Sequence, residues 1–389
     1  MAKFLIRGGR IIDPASGFDA IADVATEGTR ITAIAPDILP DGHQVIEAGG
    51  LLVMPGLVDL HTHAYWAGTL LGVNADKIGP RSGVTTWVDC GSAGAATFEG
   101  FYHHVIKSAR MRIIPFLNLS YIGLTPAGNL SLEVGELCDW RFADLKEIGR
   151  IARQFPGEVA GIKLRASNNA TGGNAGVVLP LAREAADMLG VPLMVHVGLA
   201  PPVLEEVLPF LKAGDILTHI FNPAPGGASI GADGRIKPAL KDAIARGVRL
   251  DVGHGGASFS FTHAEAALAD GLAFDAISTD LHAHNIAGPV FDLPHVMAKF
   301  LALGMPLAEV LRLATSAPAD VLGRPELGRL AEGGEADIAL FRLAEGDFTF
   351  IDSLGATRKS RMKLENVMTM RAGEPATPVD DGREDARRY

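Results

Sequence analysis

The sharpest chemical signal in the chain is Gly56-Leu57-Val58-Asp59-Leu60-His61-Thr62-His63, an apolar run ending in two histidines two residues apart. On a strand, positions i and i+2 face the same side, so both imidazoles point into one space. Neutral imidazole is a common ligand of zinc and related ions, and two on one strand supply half of a tetrahedral set. The bland alternative is a hydrogen-bonded pair of core or surface histidines. Three later runs argue against it. Pro192-Leu193-Met194-Val195-His196 and Asp215-Ile216-Leu217-Thr218-His219 are apolar strands closed by histidine, and Asp275-Ala276-Ile277-Ser278-Thr279-Asp280 closes with a carboxylate. Val159-Ala160-Gly161-Ile162-Lys163-Leu164-Arg165 adds a lysine in the middle of an apolar strand. Lysine is almost never fully buried unpaired, because desolvating an ammonium is costly. Lys163 is therefore either a snorkelling or salt-bridged side chain, or an amine that burial and nearby metal ions keep neutral enough to react with carbon dioxide. The carbamate so formed has two oxygens, one for each of two ions.

These residues need parallel strands that deliver their ends to one place. From Gly56 onward the chain alternates strand and helix, with eight candidate strands at 57–63, 84–90, 111–119, 159–165, 192–197, 215–220, 248–253 and 275–280. Helical apolar spacing at 179–189 and 202–212 supports crossover helices between them. The reading is an α/β fold, a (β/α)8 TIM barrel with its chemistry at the C-terminal rim. Before Gly56, short strands at 4–7, 10–12, 21–24, 31–34 and 45–46 are punctuated by glycine and proline. After a helix near 306–314, short strands return at 336–341 and 348–351. Both ends are expected to build one small β-sandwich. The domains then run 1–55 and 325–372 for the sandwich, 56–324 for the barrel, and 373–389 for a flexible tail rich in Pro, Asp, Glu and Arg.

The 389 residues suit a barrel of roughly 250 residues with additions. A hydrophobic fraction of 48% and a charged fraction of 21% are those of a globular protein, without an apolar run long enough to span a membrane. Charge and glycine follow too soon after Met1 for a signal peptide, and two cysteines, Cys90 and Cys138, make no disulfide framework; a cytoplasmic location is expected. The net charge of −10 without a basic tract argues against nucleic acid and anionic membrane as partners. A small-molecule substrate and a homo-oligomer are expected instead.

The sequence resembles the amidohydrolase superfamily over nearly its whole length. The matching pieces are Leu5-Ile6-Arg7-Gly8-Gly9-Arg10-Ile11-Ile12-Asp13, Met54-Pro55-Gly56 through His63, Ala314-Thr315-Ser316-Ala317-Pro318-Ala319 and Gly333-Gly334-Glu335-Ala336-Asp337-Ile338. In binuclear members, the resemblance implies that His61, His63 and Asp280 bind a deeper divalent ion, that His196 and His219 bind a more exposed one, and that carboxylated Lys163 bridges both; zinc is the expected metal. Tyr65 stands where dihydroorotases carry an arginine for the substrate carboxylate, and Leu199 stands where cytosine- and adenosine-type deaminases carry a glutamate proton shuttle. The segments 161–167, 251–259 and 278–282 look instead like the amidohydrolase/deacetylase subgroup. That likeness implies hydrolysis of a small acyl group, acetyl above all, from an acid bearing an ester or amide.

The expected mechanism has a hydroxide shared by the two metals attack the carbonyl while Asp280 accepts its proton and passes it to the leaving atom. His254 is a candidate hydrogen-bond donor to substrate or leaving group, with a structural histidine in a Gly-rich turn as the alternative. Arg165, one layer nearer the mouth than Lys163, is a candidate clamp for a substrate carboxylate, with a structural ion pair as the alternative. A cyclic-amide hydrolase of hydantoinase or dihydroorotase type shares every ligand and stays open, as does, distantly, a non-catalytic scaffold. His103, His104, His263, His284 and His295 have no assigned role, and His282 falls near the site with nothing to fix it.

Overall fold

The computed structural model describes residues 2–126 and 134–382. Strands Leu57–Thr62, Val84–Cys90, Arg112–Asn118, Gly161–Ala166, Leu193–Val197, Ile216–Thr218 and Arg249–Leu250 pair in chain order, all parallel, as a seven-stranded sheet. An eighth run closes it into a barrel. Ala276 bridges Asp251 on one side and Leu281 bridges Thr62 on the other, both parallel, and the Asp280 amide donates to the His61 carbonyl at 2.7 Å. This last run is too bent for a regular strand, since Asp280 sits at φ 50°.

The barrel strands are covered on both faces, as parallel sheets require; every residue of Leu57–Thr62 and of Val84–Cys90 is buried. Val58, Leu60, Val88, Phe116, Met194 and Ile216 fill the interior. A register shift between Asp59 and Thr62 re-phases the first strand, so that Leu60 and His61 both serve the interior. Outside lie helices such as Leu145–Gln154, whose first turn is capped by Asp144 accepting from the Glu147 amide at 3.1 Å, and Ala175–Leu189, stopped by Gly190 at φ 68°. The helix expected over 202–212 is only Leu204–Val207 followed by a 3₁₀ turn, Leu208–Phe210. Pro209 explains the break: it has no N–H to give and crowds the preceding turn.

Both ends of the chain contribute to one eight-stranded, mostly antiparallel sheet, in the order Glu374–Pro375, Thr357–Arg371, Ile338–Ile351, Leu52–Pro55, Lys3–Asp13, Phe18–Glu27, Arg30–Ala35, with Gln44–Glu47 parallel to Lys3–Asp13. Phe4, Ile6, Val24, Val53, Ile338 and Leu340 form its apolar core. The sequence reads strand breaks where the structure has bulges. Gly8-Gly9 falls inside one continuous strand with a register shift between Ile6 and Gly9; Gly346-Asp347 is absorbed between Glu345 and Phe348 in a hairpin arm 14 residues long. In the described part of the tail, the Val379 amide donates to the Asp76 carbonyl at 3.2 Å and Lys77 pairs with Asp381 at 2.9 Å. The remainder of that expectation, 383–389, lies outside the described residues.

Candidate metal centre

Six side chains that close or line five of the barrel runs converge at the C-terminal end of the barrel. His61, His63 and Asp280 bring one ligand atom each within 4.8 Å of the others. His63 Nε2 lies 3.0 Å and His61 Nε2 3.5 Å from Asp280 Oδ1. Lys163 Nζ is 3.0 Å from His61 Nε2 and 3.4 Å from Met194 Sδ, is 1% exposed, and has no carboxylate partner among the described residues. His196 and His219 pack edge to face with centroids 4.2 Å apart, and His219 is 5.0 Å from the His61 ring.

The other ring nitrogens are held from behind. His61 Nδ1 meets Thr218 Oγ1 at 2.8 Å and Asp251 Oδ2 at 3.3 Å; Thr218 and Ser278 in turn donate to Asp251. His63 Nδ1 meets Ser92 Oγ at 3.0 Å, and His219 Nδ1 donates to the Gly253 carbonyl at 2.6 Å. A carbonyl acceptor fixes the proton on Nδ1 of His219 and turns the Nε2 lone pair inward. That Nε2 is buried and without a hydrogen-bond partner among the described residues.

The backbone is shaped around these groups. His219 and Asp280 sit at φ 64° and 50°, a region L-residues occupy at a cost. Gly253, at φ 47°, passes so close that a Cβ would fall 2.3 Å from Thr218 Oγ1 and 2.9 Å from Nδ1 of both His61 and His219. Cβ atoms at Gly198 and Gly255 would stand 2.8 Å from His196 Nε2 and 2.8 Å from Asp280 Oδ2, so the space beside two ligand atoms is kept open by glycine.

Burial sets the protonation states. It pushes the imidazoles of His61 and His196 well below their usual range and His219 down to about 3, leaving neutral donors. It lowers the Lys163 ammonium as well. For Asp280 burial acts upward, but His61 and His63 outweigh it and hold the carboxyl well below its ordinary value. Inward lone pairs without protons, one carboxylate, one deprotonation-prone amine and an orphaned buried Nε2 are the donor set a pair of divalent cations would complete.

Two other sequence candidates fall differently. His254 is fully buried, its Nδ1 against the Gly255 carbonyl at 2.9 Å, its Nε2 2.7 Å from Lys299 Nζ, and its ring stacked on Phe259. Both nitrogens are engaged, with the Gly255 carbonyl and with Lys299, which is what the structural alternative expects. Arg165 rises beside the cluster, but its Nη1 is paired with Glu136, which also accepts from Asn118 Nδ2 at 3.1 Å. The sequence reading missed the supporting shell of Asp251, Thr218, Ser92 and Ser278. A signal existed for one of them, since Leu250-Asp251-Val252 is an acid inside an apolar strand. The reading also missed Asp59, which accepts from the Thr279 hydroxyl at 2.6 Å and whose carboxyl burial raises to about 7.

A model of the amidohydrolase family matches residues 259–382. A deacetylase of Agrobacterium fabrum is 41% identical over 326 residues, covering 84% of this chain and 79% of that protein. A deacetylase of Brucella anthropi is 40% identical over 339 residues, 87% of this chain and 83% of that one. The chain belongs to the amidohydrolase superfamily. As such it is a hydrolytic enzyme. Among solved structures, this amidohydrolase is similar to a dihydroorotase (36% identity, TM-score 0.88, covering 96% of this chain and 98% of that one) and to an adenine deaminase (31%, 0.88, 96% and 99%). The fold thus carries several activities, and the choice among them lies in the groups around the ligands. Among the described residues, no helix is long and apolar enough to cross a membrane.

Proposed function

We propose that this amidohydrolase removes acetyl from a small acid whose acetylated oxygen or nitrogen lies beside its carboxylate. The observation that carries the reading is the convergence of His61, His63, Lys163, His196, His219 and Asp280 on one buried volume; the deacetylases at about 40% identity support the acyl group. His61, His63 and Asp280 would hold one divalent ion, zinc in our reading, and His196 and His219 a second, with a carbamate on Lys163 between them. Bound there, two dications supply Lewis acidity that brings the pKa of water from about 15.7 toward 7 and polarises a carbonyl.

The protein's own groups do the rest. Asp280, ionised and carried on a strained turn, takes the proton that water gives up on attacking the carbonyl carbon. It returns that proton to the leaving oxygen or nitrogen as the bond to the acyl carbon breaks. The histidines keep their ring orientation throughout, because Thr218 and Asp251 hold the far nitrogen of His61, Ser92 that of His63 and the Gly253 carbonyl that of His219. Arg165 is the candidate carboxylate clamp: Glu136 takes Nη1, and no described residue accepts from the rest of the fork. An ion pair on one side pre-orients a guanidinium for a ligand on the other.

The dihydroorotase likeness at 36% identity favours cyclic-amide hydrolysis as the second reading. A panel of N- and O-acetylated amino and hydroxy acids, followed by acetate release and run beside dihydroorotate and hydantoins, tests the choice. Acetate release from at least one acetylated acid with the highest kcat/KM in the panel is expected. Faster opening of a ring amide would replace the first reading by the second.

A further inference from the structure

Both nitrogens of His254 are engaged elsewhere, and a second histidine, His282, lies two residues beyond Asp280. Its ring lies 6.3 Å from the His63 ring, and Asp280 and His63 are among its titratable neighbours. The turn that carries it is stapled to the site: the His282 amide donates to Asn285 Oδ1 at 2.9 Å, and Asn285 Nδ2 donates to the Asp280 carbonyl at 2.8 Å. The tautomer is fixed as well. The backbone amide of His284 donates to His282 Nδ1 at 3.2 Å, so Nδ1 must be the lone-pair nitrogen and the neutral ring carries its hydrogen on Nε2. No described residue accepts that hydrogen. Unlike His254, sealed at 0% exposure, His282 is only partly buried. The two histidines therefore differ in kind: one ring is consumed by its neighbours, while the other keeps one N–H without an acceptor among the described residues at the edge of the cluster.

We propose that His282 Nε2–H donates a hydrogen bond to the leaving oxygen or nitrogen of the substrate, an inference that rests on the acyl-hydrolase reading above. In the step concerned, the bond from water oxygen to the acyl carbon has formed. The bond from that carbon to the leaving atom breaks with both electrons going to the leaving atom, and the proton Asp280 took from water is delivered there. The products are the free hydroxyl or amine and acetic acid, whose remaining water-derived proton is released to solvent or to the amine as acetate forms, so atoms and charge balance without any proton lost by His282. Its role is to stabilise negative charge on the leaving atom before the proton arrives. A donor aimed at developing charge in a dry site is worth on the order of 10- to 100-fold in rate.

A donor of that kind matters most when the leaving group is poor, and this separates it from a structural residue. The test is a series of substituted phenyl acetates and an alkyl acetate, spanning good to poor leaving groups, with wild type, His282→Phe and His282→Gln, each checked for metal content and melting temperature. His282→Phe should lose about 10- to 100-fold in kcat/KM on the poorest leaving group and under threefold on the best. Its dependence on leaving-group pKa should therefore be steeper than that of wild type. His282→Gln keeps an N–H and should restore most of the loss. Equal losses across the series in both variants, or no loss in either, overturn the assignment. Should His282→Phe lose its metal or fold, the slope for His282→Gln against His282→Leu decides by the same rule. Wild type that releases acetate from no ester in the series, while opening a cyclic amide, overturns the acyl-hydrolase reading and the inference with it. Turnover in wild type with parallel lines in the variants overturns His282 alone.

Discussion

Two buried polar clusters meet at the segment 253–255 and follow opposite rules. Around Asp280, ring nitrogens face one another across a small volume, one of them without a partner among the described residues, and His219 and Asp280 stand on backbone at positive φ. Around Lys299, the amine itself is fully matched: it donates to His254 Nε2 at 2.7 Å and to the carbonyls of Pro289 and Ile351 at 2.8 Å each. The second cluster ties the end of the seventh barrel run, the loop beyond the eighth and the terminal hairpin to one atom. Burial alone does not mark a site. A satisfied cluster is a strut, whereas a cluster that folding leaves short of partners is a receptor for something else.

The contrast is broken most severely at Lys163. Lys163→Ala should fall by about 10³-fold or more in turnover and lose bound metal from a wild-type value of about two equivalents, with partial rescue by short carboxylic acids that reproduce two oxygens. One equivalent in fully active wild-type enzyme, measured by elemental analysis, removes the binuclear reading. Asp280→Asn should retain much of its metal yet lose about 10²-fold or more in kcat, because an amide keeps an oxygen ligand and cannot accept a proton; near-normal turnover would take Asp280 out of acid–base work.

The strut should behave the other way. Lys299→Met leaves a ring nitrogen and two carbonyls unpaired in the interior, so unfolding free energy should drop by about 2–3 kcal/mol while kcat stays within about threefold. A large loss of kcat at unchanged stability would merge the two clusters into one. The same residue makes a pH prediction. Burial lowers the Lys299 ammonium from 10.5 to about 7. Between those values the unfolded chain holds a proton the folded chain has shed, so stability in denaturant should rise with pH from about 7 toward 10.5. Lys299→Met should flatten that rise, and an unchanged slope would show that another group causes it. The smallest effect is expected at Arg165: Arg165→Met should raise KM about tenfold for an acetylated acid and little for its methyl ester. Equal losses on both substrates would make the Glu136 pair purely structural.

The parts of the molecule that were legible in the sequence are those that repeat. Apolar runs ending in His196, His219 and Asp280 announce strand-end ligands because a parallel strand must be apolar along its length and can be polar only at its rim. Lys163 announces itself by the cost of burying it. Glycine misled twice, at Gly8-Gly9 and Gly346-Asp347, because a bulge and a turn use the same residues, and only the partner strand decides between them. His254 carried two readings for a related reason. Its place after the seventh run is right for a site, but its partner Lys299 comes 45 residues later from a helix, and pairing across that distance leaves no periodic trace. His282 is the converse case: nothing in Asp280-Leu281-His282 says which nitrogen carries the hydrogen until the amide of His284 is placed.

The left-handed backbone at His219 and Asp280 has a consequence for metal choice. Those two residues gain their aim from conformations the surrounding barrel enforces, with Gly253 packed close behind the His61 and His219 rings. Such a socket has its dimensions before any ion arrives. An ion with a strong geometric taste of its own would have to accept the angles on offer, and discrimination among cations should then follow their tolerance of an imposed coordination more than their intrinsic affinity for imidazole.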